Sequence, residues 1–181
     1  MNIVLVGESG SGKTAIQKYL TENFRYESAV TTTTRAMRPG EVDGIDHHFI
    51  TKEEFLEKLK DCMLCCCRSY NGEFYGLDRI EATTADNKVF ILDPDGAERI
   101  KGITNCIVFY ISCNPEIREN RMAERGNTEE EIIDKKISDE IAFTYEDLIH
   151  PFVIVNEFDI GEVVTGILET VAMCVLDDFD D

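Results

Sequence analysis

The residues Gly7-Glu8-Ser9-Gly10-Ser11-Gly12-Lys13-Thr14 fit the pattern G-x-x-x-x-G-K-[ST], and they constrain the chain more than any other segment. They follow Ile3-Val4-Leu5-Val6, a short apolar run ended by glycine, which reads as a buried parallel strand. A helix is predicted to begin near Lys13, with Ala15, Ile16, Tyr19, Leu20 and Phe24 recurring at helical spacing and burying one face on a sheet. Glycines in such a loop let the backbone turn its N–H groups inward around a phosphate. The helix that follows points the positive end of its dipole at the same anion. Residues 7–14 are thus the expected nucleoside triphosphate site, with Lys13 reaching the outer phosphates and Thr14 coordinating Mg2+.

Further buried strands are expected at Val89-Phe90-Ile91-Leu92, Ile107-Val108-Phe109-Tyr110-Ile111 and Phe152-Val153-Ile154-Val155. Their alternation with polar or helical sequence predicts an α/β domain with a mainly parallel sheet. Asp93 and Asp95 close one of these runs, at the carboxyl end of a core strand, where open α/β sheets bind ligands. Either could hold a Mg2+-bound water, or the pair could simply end the strand in a turn with Pro94 and Gly96.

Two segments interrupt the core. Residues 31–84 carry Thr51 followed by Glu54, a capping box that starts a helix. Residues 116–147 are highly charged, with helix starts at Asn114-Pro115 and at Thr128 with Glu131. The first suits a substrate-binding flap and the second a lid, leaving a core of residues 1–30, 85–115 and 148–181 in a single domain. Residues 177–181 read as a frayed acidic tail.

The 181 residues carry a net charge of −18, which argues against nucleic acid or an anionic membrane surface as a partner. No segment is apolar enough to span a membrane, and the start has no basic lead, so a cytoplasmic location is expected. Seven cysteines, three of them consecutive at Cys65, Cys66 and Cys67, suit a reducing compartment. The C-x-x-C spacing of Cys62 and Cys65 has no second paired motif, and small apolar cysteines fit a buried strand better than a metal site.

The segment Thr31-Thr32-Thr33-Thr34-Arg35-Ala36-Met37-Arg38-Pro39-Gly40-Glu41-Val42-Asp43-Gly44-Ile45-Asp46-His47-His48-Phe49 resembles the monophosphate-binding segment of guanylate kinases. The likeness continues through Gly72-Glu73-Phe74-Tyr75-Gly76, Ile91-Leu92-Asp93-Pro94-Asp95, Arg121-Met122-Ala123-Glu124-Arg125-Gly126 and Val153-Ile154-Val155-Asn156, so it covers nearly the whole chain. It implies a three-layer P-loop kinase fold with a five-stranded parallel core, a monophosphate-binding insertion and a helical lid. It also implies transfer of the γ-phosphate of Mg-ATP to a nucleoside monophosphate.

By the same resemblance, Arg35, Arg38 and Tyr75 grip the acceptor phosphate, and Thr31, His47 and Asp95 line the monophosphate site. Arg121 and Arg125 are lid arginines, Asn156 lies near the donor nucleotide, and Asp93 belongs with Thr14 at the Mg2+. Guanidinium groups pair bidentately with phosphate, and positioning with charge neutralisation is most of what phosphoryl transfer needs. The departures gather where the base would be read. The family's guanine-binding glutamate falls at Cys66, and its serine or threonine after Tyr-Gly falls at Leu77; His47 replaces a tyrosine and Lys136 an arginine. A thiol is at best a weak acceptor for guanine's donors, so guanine selectivity should fall. A shift that brings Glu73 into the space, an acceptor with another base, and decayed turnover all remain open. So do a non-catalytic guanylate-kinase-like binding module and a kinase or ATPase for a different small acceptor.

Overall fold

The computed structural model describes residues 1–38, 40–70, 72–84, 86–143 and 151–177. The expected boundaries at 84/85 and 147/148 and most of the acidic tail fall at or outside the limits of that range. Strand β1 (Asn2–Val6) lies at the centre of a parallel five-stranded sheet with β2 (Glu27–Ser28), β7 (Lys88–Ile91), β8 (Cys106–Ser112) and β9 (Phe152–Val155), in the order β2-β7-β1-β8-β9.

Because β1 is covered on both faces, its sequence is uniformly apolar rather than alternating. Ile3 and Leu5 pack with Ile16 and Leu20 of α1 (Lys13–Asn23) and with Val163, Val164 and Ile167 of α7 (Ile160–Asp177). Val4 and Val6 face the other way, onto Phe90, Ala97 and Ile100, the last two from α4 (Pro94–Lys101). The sheet thus lies between two layers, the α/β/α arrangement of P-loop kinases. Among the described residues no helix is long and apolar enough to cross a membrane.

A second, four-stranded sheet has the order β4-β3-β6-β5, built from β3 (Thr31–Thr33), β4 (His47–Phe49), β5 (Leu64–Tyr70) and β6 (Glu73–Asp78). Helix α2 (Lys52–Lys60) starts with both capping-box bonds between Thr51 and Glu54, and the short α3 (Arg79–Thr83) follows β6. Between β8 and β9 stand α5 (Pro115–Glu124), capped by Asn114 with proline in its first turn, and α6 (Glu129–Ala142), capped reciprocally by Thr128 and Glu131.

Two expectations about burial are corrected. In α1 only Ile16 and Leu20 are fully buried, while Ala15 and Phe24 are exposed. The helix ends at Asn23, so Phe24 has extended backbone and leaves the buried face. Strand β9 is not a buried strand: it is the sheet's edge, and Phe152, Val153 and Val155 are 47%, 62% and 45% exposed.

Candidate functional site

The loop between β1 and α1 needs glycine for two physical reasons. Gly10 and Gly12 have φ of 79° and 97°, in the left-handed region. A Cβ at Gly10 would meet the Arg118 carbonyl at 2.6 Å, and one at Gly12 would run into the Asn156 side-chain amide. Gly12 is the N-cap of α1 and offers no side-chain bond to the helix's first amides, which leaves them open to an anion.

Lys13 folds back over the loop. Its ammonium donates to the Gly7 carbonyl at 2.6 Å, the Glu8 carbonyl at 3.0 Å and the Ser11 hydroxyl at 3.4 Å. Burial pushes it down to about 8, with Asp139 opposing that shift. Asp139, on α6, takes two bonds from one loop residue: the Ser9 amide donates at 2.7 Å and the Ser9 hydroxyl at 3.2 Å. Glu8 faces α5 and β8 instead, accepting from the Tyr110 hydroxyl at 3.3 Å and pairing with Arg118 at 3.0 Å.

The Asn156 amide donates to the Ser11 carbonyl at 2.7 Å. Arg121 packs beside it, donating to the Asn156 carbonyl at 3.1 Å and reaching the Gly10 and Ser11 carbonyls at 3.4 and 3.5 Å. Arg121 and Arg125, four residues apart, line one cavity of about 480 Å³ with Gly12, Tyr19, Phe158 and Ile160. Its size and part-aromatic wall suit a flat base held next to the phosphate loop. Lys136 is occupied by Glu119, tying α6 to α5.

On the four-stranded sheet, Arg35 is held by Glu41 in a two-bond fork at 2.9 and 2.8 Å, and Glu41 also accepts from the Arg38 amide at 2.7 Å. The Arg35 guanidinium holds the Glu41 carboxyl well below the usual range, at about 2. Arg35 also stands 5.5 Å from the centre of the Phe49 ring. His47 bonds Thr31 at 2.7 Å and meets Tyr75 edge-on at 6.3 Å; burial lowers its pKa, which favours the neutral ring. Arg38 is exposed, and its charge is felt by Glu131 and Lys135 of α6.

At the carboxyl end of β7, Asp93 caps α4 by accepting from the Gly96 amide at 2.7 Å, while its other oxygen takes Arg68 at 2.9 Å. Asp95 is turned out to Arg99 at 3.0 Å. Thr14 lies in the first turn of α1. The Thr14 hydroxyl and the Asp93 carboxylate are the hard oxygen donors that Mg2+ favours, and this ion is commonly held by one or two protein groups plus substrate phosphates and water. Both Asp93 oxygens already take protein donors, which suits contact through water. Among the described residues no group of three or more His, Cys, Asp or Glu could hold a metal, so the cysteines form no such cluster.

The two positions expected to read the base do not offer it acceptors. Leu77 is fully buried and packs in the core with Val4, Val6 and Phe90. The Cys66 thiol donates to the Gly96 carbonyl at 3.4 Å, and its hydrogen bond with Cys65 together with burial raises its pKa, keeping it protonated. Glu73 is committed to Thr34 and Lys52, away from that space. Three residues that sequence reasoning passed over, Arg68, Arg118 and Asp139, reach the site. Arg118, three before Arg121, had helical spacing to a noted neighbour as its signal; Arg68 and Asp139 had none.

A phosphate loop between the central strand and first helix of a parallel five-stranded sheet, with a second sheet inserted after β2, defines a P-loop kinase. The family model described as guanylate kinase matches residues 1–173. A guanylate kinase of Pseudomonas fluorescens is 30% identical over 161 residues, covering 85% of this chain and 78% of that one. Another, of Bacillus cereus, is 35% identical over 144 residues, 75% and 70% of the two chains. The crystal structure of guanylate kinase from Anaplasma phagocytophilum shares the fold, with a TM-score of 0.69 at 23% identity over 96% of this chain and 85% of that one. The chain belongs to the guanylate kinase family.

Proposed function

We propose that the protein transfers the γ-phosphate of Mg-ATP to a nucleoside monophosphate, with GMP or dGMP as the family's acceptors and a base preference relaxed or altered by Cys66 and Leu77. The observation that carries this reading is that the charge of Arg68, which stands beside Tyr75 on the second sheet, is felt by Lys13 in the phosphate loop. On this reading the loop with Lys13 and the sheet face with Arg35, His47 and Tyr75 are the two walls of one cleft.

In this reading ATP lays its phosphates along residues 7–14, with its base in the cavity walled by Tyr19, Arg121, Arg125 and Phe158. Lys13 exchanges its loop carbonyls for phosphate oxygens. Arg35, Arg38 and Tyr75 fix the acceptor phosphate in line, and residues 116–147 act as a lid that closes Arg121 and Arg125 over the reacting groups. Thr14 and, through water, Asp93 would hold Mg2+, which when bound would supply positive charge to the donor's outer phosphates. Transfer is direct, with no covalent enzyme intermediate.

The test is transfer from Mg-ATP to GMP, dGMP, AMP, CMP, UMP and dTMP, with Lys13→Ala and Arg38→Ala alongside. The expected result is one preferred acceptor and a loss on the order of 10²-fold or more in each variant. A folded, ATP-binding protein that phosphorylates none of the six would refute the nucleoside monophosphate kinase and put a non-catalytic binding module first, ahead of a kinase for a different small acceptor. That second reading draws on the core position of Leu77 and the committed thiol of Cys66.

A further inference from the structure

We propose that Arg68 is an additional ligand of the acceptor's phosphate, turned into the cleft by a bulge in β5; the inference rests on the monophosphate reading above. The pairing of β5 with β6 slips by one residue. Leu64 lies opposite Asp78 and Cys65 opposite Leu77, yet Arg68 lies opposite Tyr75, so Cys66 and Cys67 together span Gly76. Cys66 has φ of 52°, a left-handed conformation that a non-glycine residue adopts at a cost.

That extra residue decides which way Arg68 faces. In an unslipped register Cys67 would pair with Tyr75, and Arg68 would pair with Phe74, whose ring stacks on Phe55 of α2. With the bulge, Arg68 shares a face with Tyr75, whose cross-strand partner is Thr33, itself paired with Phe49 under Arg35. The Arg68 guanidinium lies 5.8 Å from the ring centres of both Tyr70 and Tyr75.

From there it crosses to the other wall. Asp93, its only hydrogen-bond acceptor among the described residues, follows β7, and the Leu92 amide there bonds to the Leu5 carbonyl, one residue from the end of β1. The charge of Arg68 also acts on the Lys13 ammonium, in the direction of two cations that repel. A phosphate between them would turn that repulsion into two attractions, and the guanidinium keeps donors beyond the one spent on Asp93. A half-exposed ion pair adds little to stability, so the pair with Asp93 alone does not account for a strained residue placed to aim it.

The test measures binding by calorimetry for wild type, Arg68→Ala and Arg68→Lys, using GMP and AMP with guanosine and adenosine as phosphate-free controls. Acceptor and ATP kinetics are measured on the same samples. Arg68→Ala is expected to weaken the preferred monophosphate about tenfold and to raise the acceptor KM similarly, with binding of its nucleoside and the KM for ATP held within about twofold. Arg68→Lys should fall between, and thermal midpoints should stay close to wild type. Unchanged monophosphate binding in Arg68→Ala, or equal losses for monophosphate and nucleoside, would overturn the proposal. Wild type that binds a monophosphate but transfers nothing would sink the kinase reading and leave Arg68 to be judged on binding; wild type that binds no monophosphate would sink both.

Discussion

Burial brings the Lys13 ammonium down to about 8 from the 10.5 of an ordinary lysine, so part of the empty protein carries a neutral lysine at mildly alkaline pH. Lowering this pKa disfavours the charged form in the fold. The cost to stability is therefore present below about 8 and is lifted as pH rises from there toward 10.5. Phosphate capture runs the opposite way, because it needs the proton. The kcat/KM for ATP should fall as pH rises through about 8, while kcat, reporting the complex in which phosphates hold the proton on, should fall only at higher pH. A pH profile of both constants checks this, and coincident limbs would show that Lys13 does not set them.

Lys13, Thr14, Arg35 and Arg38 could be singled out in the sequence because they sit inside motifs whose spacing is short and rigid. Asp139 could not be, since it meets Ser9 across 130 residues and nothing local marks it. Leu77 was read as facing the acceptor because it follows Tyr-Gly, whereas its place in the core depends on what β6 packs against.

Helix starts were the most legible elements, because a cap is a local transaction between residues three apart. Thr51, Asn114 and Thr128 all cap as their sequences indicate. Thr128→Ala removes one half of the reciprocal bond at α6 and should cost about 1 kcal/mol locally. Faster hydrogen exchange in the first turns of α6, with little change in α1, would register it. Strand existence was legible for the apolar runs of β1, β7, β8 and β9, but not for the short β2 or for β3, β4 and β6 of the second sheet, and strand position was not legible at all. β9 has the apolar run of a buried strand and lies at the edge, because order in a sheet is set by crossovers and not by composition. The bulge in β5 was invisible for a related reason: three consecutive cysteines give no alternation from which a register could be read.

Across the whole molecule, the core and the cleft should separate under mutation. Phe109 of β8 is fully buried in the core that the sheet shares with α1 and α7, and Phe109→Ala should lower stability by about 3–5 kcal/mol. Phe158, 67% exposed on the wall of the cavity, should leave the thermal midpoint nearly unchanged when replaced by alanine, yet weaken ATP by about tenfold through lost stacking. Parallel melting curves and ATP titrations distinguish the two, and a large drop in the midpoint of Phe158→Ala would contradict its assignment to the cavity.

The seat of Asp139 on Ser9 has a consequence in time. On the reading proposed above, an incoming nucleotide finds that amide and hydroxyl already taken, so the Asp139 carboxylate must let go before Ser9 can donate to a phosphate. Capture then proceeds in two stages, a spontaneous release followed by an encounter. In rapid mixing the observed rate should level off as ATP is raised, and the height of the plateau counts how often that carboxylate lets go. Asp139→Ala should abolish the plateau and leave a straight line whose slope is the bare rate of collision.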